Sequence, residues 1–263
     1  MSSEDILGKP QPTPDERVAY GSDPNQFIEV RLGRGASAPY PAVLNIHGGY
    51  WRAKYDLAHA GHLCEAVRGL GIAVFNIEYR RVGDKGGGWP GTFEDIRSAY
   101  RFVRQASTRF HVDVRRLAVM GHSAGGQLAL CLAAHEPSLD QVVSLAGVVD
   151  LKRGHELHLS HDAVSEFLGG SPEQVPEHYR EADPMELHIP EARQWLIHGL
   201  EDDTVPPNFS RDYVQFKTGS KSGAAKREVA ELLEIPHAGH FDLIDPGSQA
   251  FQKVAEVLRK ATA

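Results

Sequence analysis

Cysteine is scarce in this chain of 263 residues: there are two, Cys64 and Cys131. Two thiols, each inside an apolar helical pattern, cannot build a disulfide framework, so both are expected as small core residues of a protein from a reducing compartment. Long apolar runs are missing too, which excludes a bilayer-spanning helix, and the stretch Met1 to Arg17 is polar and proline-containing, without the apolar core of a secretion signal. The expectation is a cytoplasmic protein with no membrane partner. Positive charge is in deficit: 28 Lys and Arg stand against 35 Asp and Glu, for a net charge of −7. That balance leaves no electrostatic footprint for nucleic acid. The short basic stretch Lys221 to Arg227 reads as a solvated loop. Internal repeats and low-complexity segments are absent.

What is present is enough apolar content, 41%, to bury a full core as one large α/β domain rather than two small ones. Residues 1–17 are expected as a frayed polar tail and 18–263 as the domain. Phe27 to Leu32 alternates like a half-exposed strand and reads as an antiparallel edge. Apolar strands at Ala42 to Ile46, Ile72 to Ile77, Leu117 to Met120, Val142 to Leu145, Trp195 to Ile197 and Val229 to Ile235 then alternate with helical patterns at Ala58 to Leu70, Thr92 to Ala106, Ala124 to Ala134, Asn208 to Thr218 and Ser248 to Thr262. The alternation predicts a mostly parallel, doubly wound sheet with helices on both faces. Asp150 to Pro190 does not fit it, being too long and polar for a simple crossover. It is expected as a small cap insertion over the C-terminal edge of the sheet, where open α/β folds bind ligands.

The stretch Arg116 to Leu130 carries the most chemistry. A short strand runs straight into Gly121-His122-Ser123-Ala124-Gly125 and then into a helix rich in small and aliphatic residues, which reads as a nucleophile elbow. Glycines two before and two after the serine are required because a Cβ at either place would collide with neighbouring backbone in so sharp a turn. A serine hydroxyl is a weak nucleophile at neutral pH, so Ser123 needs a base, and the base needs an acid to fix its tautomer. Both are present in the chain order nucleophile, acid, histidine. For the acid, Asp202 and Asp203 compete in the loop His198 to Pro206. Asp202 is preferred, three residues after Gly199 and four before Pro206, with Asp203 left to cap the next turn. For the base, His240 is preferred over His237 because Gly239 lets the backbone turn just before it. The fourth part is His47-Gly48-Gly49-Tyr50-Trp51, directly after a strand. Such a loop brings backbone N–H groups to a developing oxyanion, and Gly48, Gly49, Tyr50 and, after the nucleophile, Ala124 are the candidate donors.

These four pieces together resemble the α/β-hydrolase superfamily over nearly the whole chain from about Val18 onward. Within it, His47 to Trp51 is similar to the HGGxW of the carboxylesterase and kynurenine formamidase (arylformamidase) branch. Glu78-Tyr79-Arg80-Arg81 with Trp89-Pro90-Gly91-Thr92-Phe93-Glu94-Asp95 resembles what hormone-sensitive-lipase-like esterases and prolyl-oligopeptidase-type catalytic domains carry at this place. The resemblance implies acyl transfer to water through an acyl-enzyme: Ser123 attacks, His240 moves the proton and Asp202 orients His240, with no metal or organic cofactor. Where many lipase-like esterases have HGGG this chain has HGGYW, so Tyr50 and Trp51 are expected to line or close the mouth of the site and to favour small or planar acyl groups.

The expected function is therefore a serine hydrolase of small ester or amide bonds, formamides included, acting as a monomer or homodimer. The alternative is an acylaminoacyl or dipeptidyl peptidase without its propeller, disfavoured because so little chain precedes His47; a non-catalytic binding protein on the same scaffold comes third. Trp51, Trp89 and His122 are the candidate substrate contacts, each weighed against core packing, which the turn favours for His122. His155, His158 and His161 with Asp162, and likewise His59 and His62 with Asp56, have spacings open to metal binding, but solvent-facing histidines are the commoner case. Gly83 to Gly88 is glycine-rich but opens no helix after a strand, so it is a loop and not a dinucleotide fingerprint.

Overall fold

The computed structural model describes residues 3–219 and 228–263; the basic stretch Lys221 to Arg227 lies outside the described residues. Eight strands form one sheet: β1 (Glu16–Ala19), β2 (Phe27–Arg31), β3 (Tyr40–Ile46), β4 (Ala73–Ile77), β5 (Val112–His122), β6 (Gln141–Leu145), β7 (Arg193–Gly199) and β8 (Val229–Ile235). Their spatial order is β1-β2-β4-β3-β5-β6-β7-β8. β2 alone runs against its neighbours β1 and β4, and every other pairing is parallel. The helices are α1 (Gly61–Arg68), α2 (Gly91–Gln105), α3 (Ala124–His135), α4 (Leu151–Glu156), α5 (Ala163–Leu168), α6 (Pro176–Ala182), α7 (Asn208–Thr218) and α8 (Ala250–Ala261). Among the described residues no helix is long and apolar enough to cross a membrane.

Side chains of a strand point alternately to the two faces of its sheet, and here both faces are covered. Val43, Val74, Ala118 and Val143 enter a core shared with α1 and α8, while Leu44, Phe75, Val119 and Val142 enter a second core with α2, α3 and α7. Cys64 belongs to the first and Cys131 to the second, both as free, buried thiols.

Two expectations fail at the N-terminal end for one reason. Phe27 to Arg31 is antiparallel but is not the edge, because β1 lies outside it. Its polar residues Glu29 and Arg31 alternate with Ile28 and Val30, yet all four are buried. The polar residues expected as a frayed tail cover this charged face: Arg17 donates to Glu29 at 2.7 Å, and Arg31 donates to Pro12 O at 2.7 Å. Ile6, in a 3-10 turn at Ser3–Gly8, is only 1% exposed. Part of this polar composition supplies partners for buried charges while most of its residues stay exposed.

The Asp150 to Pro190 insertion between β6 and β7 holds α4, α5 and α6. It rises from the C-terminal ends of the parallel strands, and Gln127 of α3 ties it down by donating to Ala182 O at 2.8 Å.

Candidate active site

β5 ends at His122 and α3 begins at Ala124, leaving Ser123 as the single residue of the turn. Its backbone sits at φ 57°, ψ −120°, a conformation that a non-glycine residue holds only when the surroundings impose it. Ser123 N–H donates to Leu145 O at 2.8 Å, and its carbonyl accepts from Gly126 N–H at 2.9 Å at the start of α3. The two flanking glycines are needed for space: a Cβ on Gly121 would fall 2.0 Å from Gly125 O, and one on Gly125 would fall 2.1 Å from Ile46 O.

The loops after β7 and β8 bring Asp202 and His240 together, with His240 Nδ1–H donating to Asp202 Oδ2 at 2.7 Å. Asp202 Oδ1 accepts from Thr204 N–H at 2.9 Å and Val205 N–H at 2.8 Å, so it is Asp202 that caps the turn assigned in the sequence to Asp203. Burial pushes the Asp202 carboxyl up, but hydrogen bonds from His198, His240 and Val205 N–H outweigh it and hold the group well below the usual carboxylate range. The other two candidates turn outward. Asp203 is exposed and accepts from Thr204 Oγ1, and His237 is exposed and pairs with Glu201.

His240 is fixed against the elbow through the residue that precedes Ser123. His122 Nε2–H donates to His240 O at 3.0 Å, and the two rings lie 4.5 Å apart. Burial and the neighbouring His240 hold the His122 imidazole neutral, far below its ordinary pKa. His122, expected as a candidate substrate contact with core packing as the alternative, is buried and supports the backbone of His240.

The His47 to Trp51 loop lies against Ser123, since a Cβ on Gly48 would come within 3.0 Å of Ser123 Cβ. The loop is held from below. His47 donates through Nε2 to Glu78 Oε1 at 3.0 Å, places Nδ1 2.8 Å from Gly48 O, and stacks on Tyr79 at 4.4 Å. Glu78 also accepts from Leu57 N–H at 3.0 Å. Arg80 grips Asp95 through a two-pronged ion pair, which joins the Glu78 to Arg81 stretch to α2. Tyr50 is half-buried, and its hydroxyl donates to Thr204 O at 3.1 Å, bridging this loop to the acid loop. Burial, with the Asp202 charge nearby, pushes the Tyr50 phenol up to about 12.

Trp51 does not line the mouth. It is fully buried, donates through Nε1 to Gln127 Oε1 at 3.0 Å, and stacks on Phe167 of α5 at 4.6 Å and 7°. Trp89 is half-buried, stacks on Phe93 at 5.2 Å, and donates its N–H to Phe167 O at 2.8 Å. Both tryptophans are the seat of the cap. Large flat rings beside a pocket look alike in sequence whether they meet a ligand or another ring. Arg52 completes the seat, reaching Glu166 at 2.7 Å, Ser160 Oγ at 3.0 Å and His161 O at 3.0 Å.

Among the described residues no group of three His, Cys, Asp or Glu is placed to hold a metal ion. His158 pairs with Asp162, His155 lies 2.8 Å from Ser165 Oγ, and His62 lies 3.0 Å from Pro10 O. His59 is half-buried beside His47, where desolvation and that neighbour hold its imidazole at about 4, and Asp56 caps the turn before α1. A cavity of about 550 Å³ within the cap, lined by Lys152, His155, His158, Tyr179 and Arg180, includes none of Ser123, Asp202 and His240. The sequence reading gave no role to His198, Glu78 or Phe167. Their residue types carried no signal beyond the motifs around them.

A sheet with only β2 reversed, a strained serine between β5 and α3, and loops from β7 and β8 converging on it define an α/β-hydrolase. The sequence model of the BD-FAE family matches residues 28–216, and the chain belongs to that family. It is 28% identical to esterase LipC of Mycobacterium tuberculosis over 87% of its own length, and spans 60% of that relative's length. Among solved structures, a truncated carbohydrate esterase from gut microbiota superposes with a TM-score of 0.80 at 20% identity, covering 97% of this chain and 99% of that one. Esterase B from Lactobacillus rhamnosis (HN001) superposes with a TM-score of 0.78 at 18% identity, covering 98% and 89%.

Proposed function

We propose that the protein is a serine hydrolase of small carboxylic esters, with Ser123 as nucleophile, His240 as base and Asp202 as the acid that orients it. One observation carries the reading: the Asp202 to His240 hydrogen bond, with His240 anchored on the residue before a serine held at positive φ. With its Nδ1 proton given to Asp202, His240 keeps Nε2 free as the base. In the acylation step Ser123 Oγ attacks the ester carbonyl carbon while its proton passes to His240 Nε2. The resulting oxyanion faces backbone N–H groups of Ala124 and of the Gly48 to Tyr50 loop, each worth roughly 3 kcal/mol of transition-state stabilisation. His240 returns the proton to the leaving alcohol, and water repeats the sequence to release the acid.

Ester is preferred to formamide because LipC, with which most of this chain aligns, is named an esterase. A small acyl group is preferred because Tyr50 bridges the oxyanion loop to the acid loop beside Ser123. A fluorophosphonate probe is expected to label the wild type and spare Ser123→Ala; labelling that survives the substitution removes the assignment. In a panel of acetyl, butyryl and longer p-nitrophenyl esters with N-formyl and peptidyl anilides, the short esters are expected to turn over fastest. Anilides matching them would transfer the activity to amide or peptide bonds.

A further inference from the structure

Asp202 carries a second imidazole. Its Oδ2, which accepts from His240, also lies 3.3 Å from His198 Nε2. His198, near the end of β7, is fully buried, and its Nε2 faces a second acceptor, Val205 O, at 2.9 Å. Two acceptors in front of one ring nitrogen place the proton on Nε2. Nδ1 is then an acceptor, and the Ser210 hydroxyl, buried in α7 at 2.7 Å, donates to it. Every group in the series has a partner: Ser210 to His198, His198 to Asp202, His240 to Asp202. Ser210, the third residue of α7, thus completes the hydrogen bonding of a histidine that takes no part in the ester chemistry.

Building on the proposed triad, we propose that His198 is a positioning residue that sets the basicity of His240 through their shared carboxylate oxygen, with Val205 O and the Ser210 hydroxyl orienting its ring. An N–H on Oδ2 competes with His240 for the same lone pairs and disperses the carboxylate charge, so the imidazolium formed during catalysis is stabilised less than by an Asp202 bonded to His240 alone. The depressed pKa of Asp202, to which His198 contributes the largest of the lowering interactions, agrees with this. The titratable and charged groups around the pair are His240 from the loop after β8, Glu234 of β8, in register with His198 and ion-paired to Arg211 of α7, His122 from the end of β5, Tyr50 from the loop after β3, and Asp203, which is turned to Thr204 on the exposed side. His198 is the histidine among them that shares Asp202 Oδ2 with His240.

The test is the pH profile of kcat/KM for a short p-nitrophenyl ester in the wild type, His198→Leu, His198→Gln and Ser210→Ala. In His198→Leu the acid limb is expected to move up by about half to one pH unit, with KM little changed. His198→Gln, which restores an N–H, is expected to return the limb towards the wild-type position. Ser210→Ala, which removes the bond that orients the His198 ring from its Nδ1 side, is expected to move it up by less. An acid limb that stays in place in His198→Leu while activity falls overturns the inference, because it marks His198 as a strut of the loop only. If His198→Leu does not fold, an unshifted limb in Ser210→Ala overturns it equally. Fluorophosphonate labelling separates the two layers. A wild type that fails to label removes the triad and this inference with it, whereas Ser123-dependent labelling with unshifted profiles removes this inference alone.

Discussion

At the scale of single residues, the site depends on which atoms are left free by neighbours that are already satisfied. Asp202 receives two backbone N–H groups and His240, an arrangement that keeps the imidazole in one tautomer and one orientation. Asp202→Asn keeps the shape but offers an amide N–H where an acceptor is needed. It is expected to lower kcat by about 10³ to 10⁴-fold with the fold intact, which steady-state kinetics and circular dichroism will check. Gly48 is limited by space: a Cβ there would fall 2.8 Å from His122 O as well as against Ser123. Gly48→Ala is expected to push the oxyanion loop away from the elbow and cut kcat about 10-fold or more while changing KM little. That the loops carrying Asp202 and His240 come together was legible in their spacing. The support given by His122 and His198 was not, because a histidine that bonds a backbone carbonyl looks in sequence like any buried histidine.

At the scale of elements, one ring of the cap packs directly on the HGGYW loop. Phe167 stacks on Trp51, the last residue of the HGGYW loop, and its carbonyl takes the N–H of Trp89, the residue before Pro90 and α2. Phe167→Ala is expected to cost about 3–5 kcal/mol and to loosen the cap, read as a lower melting temperature and faster hydrogen exchange over α4 to α6. The cap also carries a pH dependence. Burial, aided by the nearby Asp150, raises the Asp183 carboxyl from 3.8 to about 7. Between those values the folded chain holds a proton that the unfolded chain has lost, so rising pH removes stability across that window. The melting temperature is expected to fall between pH 5 and pH 8, and the fall to be shallower in Asp183→Asn. The helix and strand positions were readable from period, with Asn208 to Thr218 matching α7 residue for residue. The short helices of the cap were not, because six or seven residues are too few to set a helical period apart from a polar loop.

At the scale of the whole molecule, one sheet with two covered faces binds distant parts of the chain into a common structure. The N-terminal residues share in it, through Ile6 in the core beside α1 and α8 and through the partners they supply to Glu29 and Arg31. Removal of residues 1–14 is expected to lower the melting temperature by about 5–10 °C, since it exposes apolar surface and strips an acceptor from a buried guanidinium; differential scanning calorimetry on the shortened chain checks this. The fold class followed from strand and helix periods, and the elbow from a local rule of backbone space, because both are written in residues adjacent in the chain. Tertiary structure alone decided what each aromatic and histidine faces. Trp51 and Trp89 meet Phe167, His237 meets solvent and His240 meets Asp202, and His198 joins the same oxygen from the other side. Those partners come from loops far apart in sequence, and a side chain's chemistry is set by the neighbours that burial brings to it.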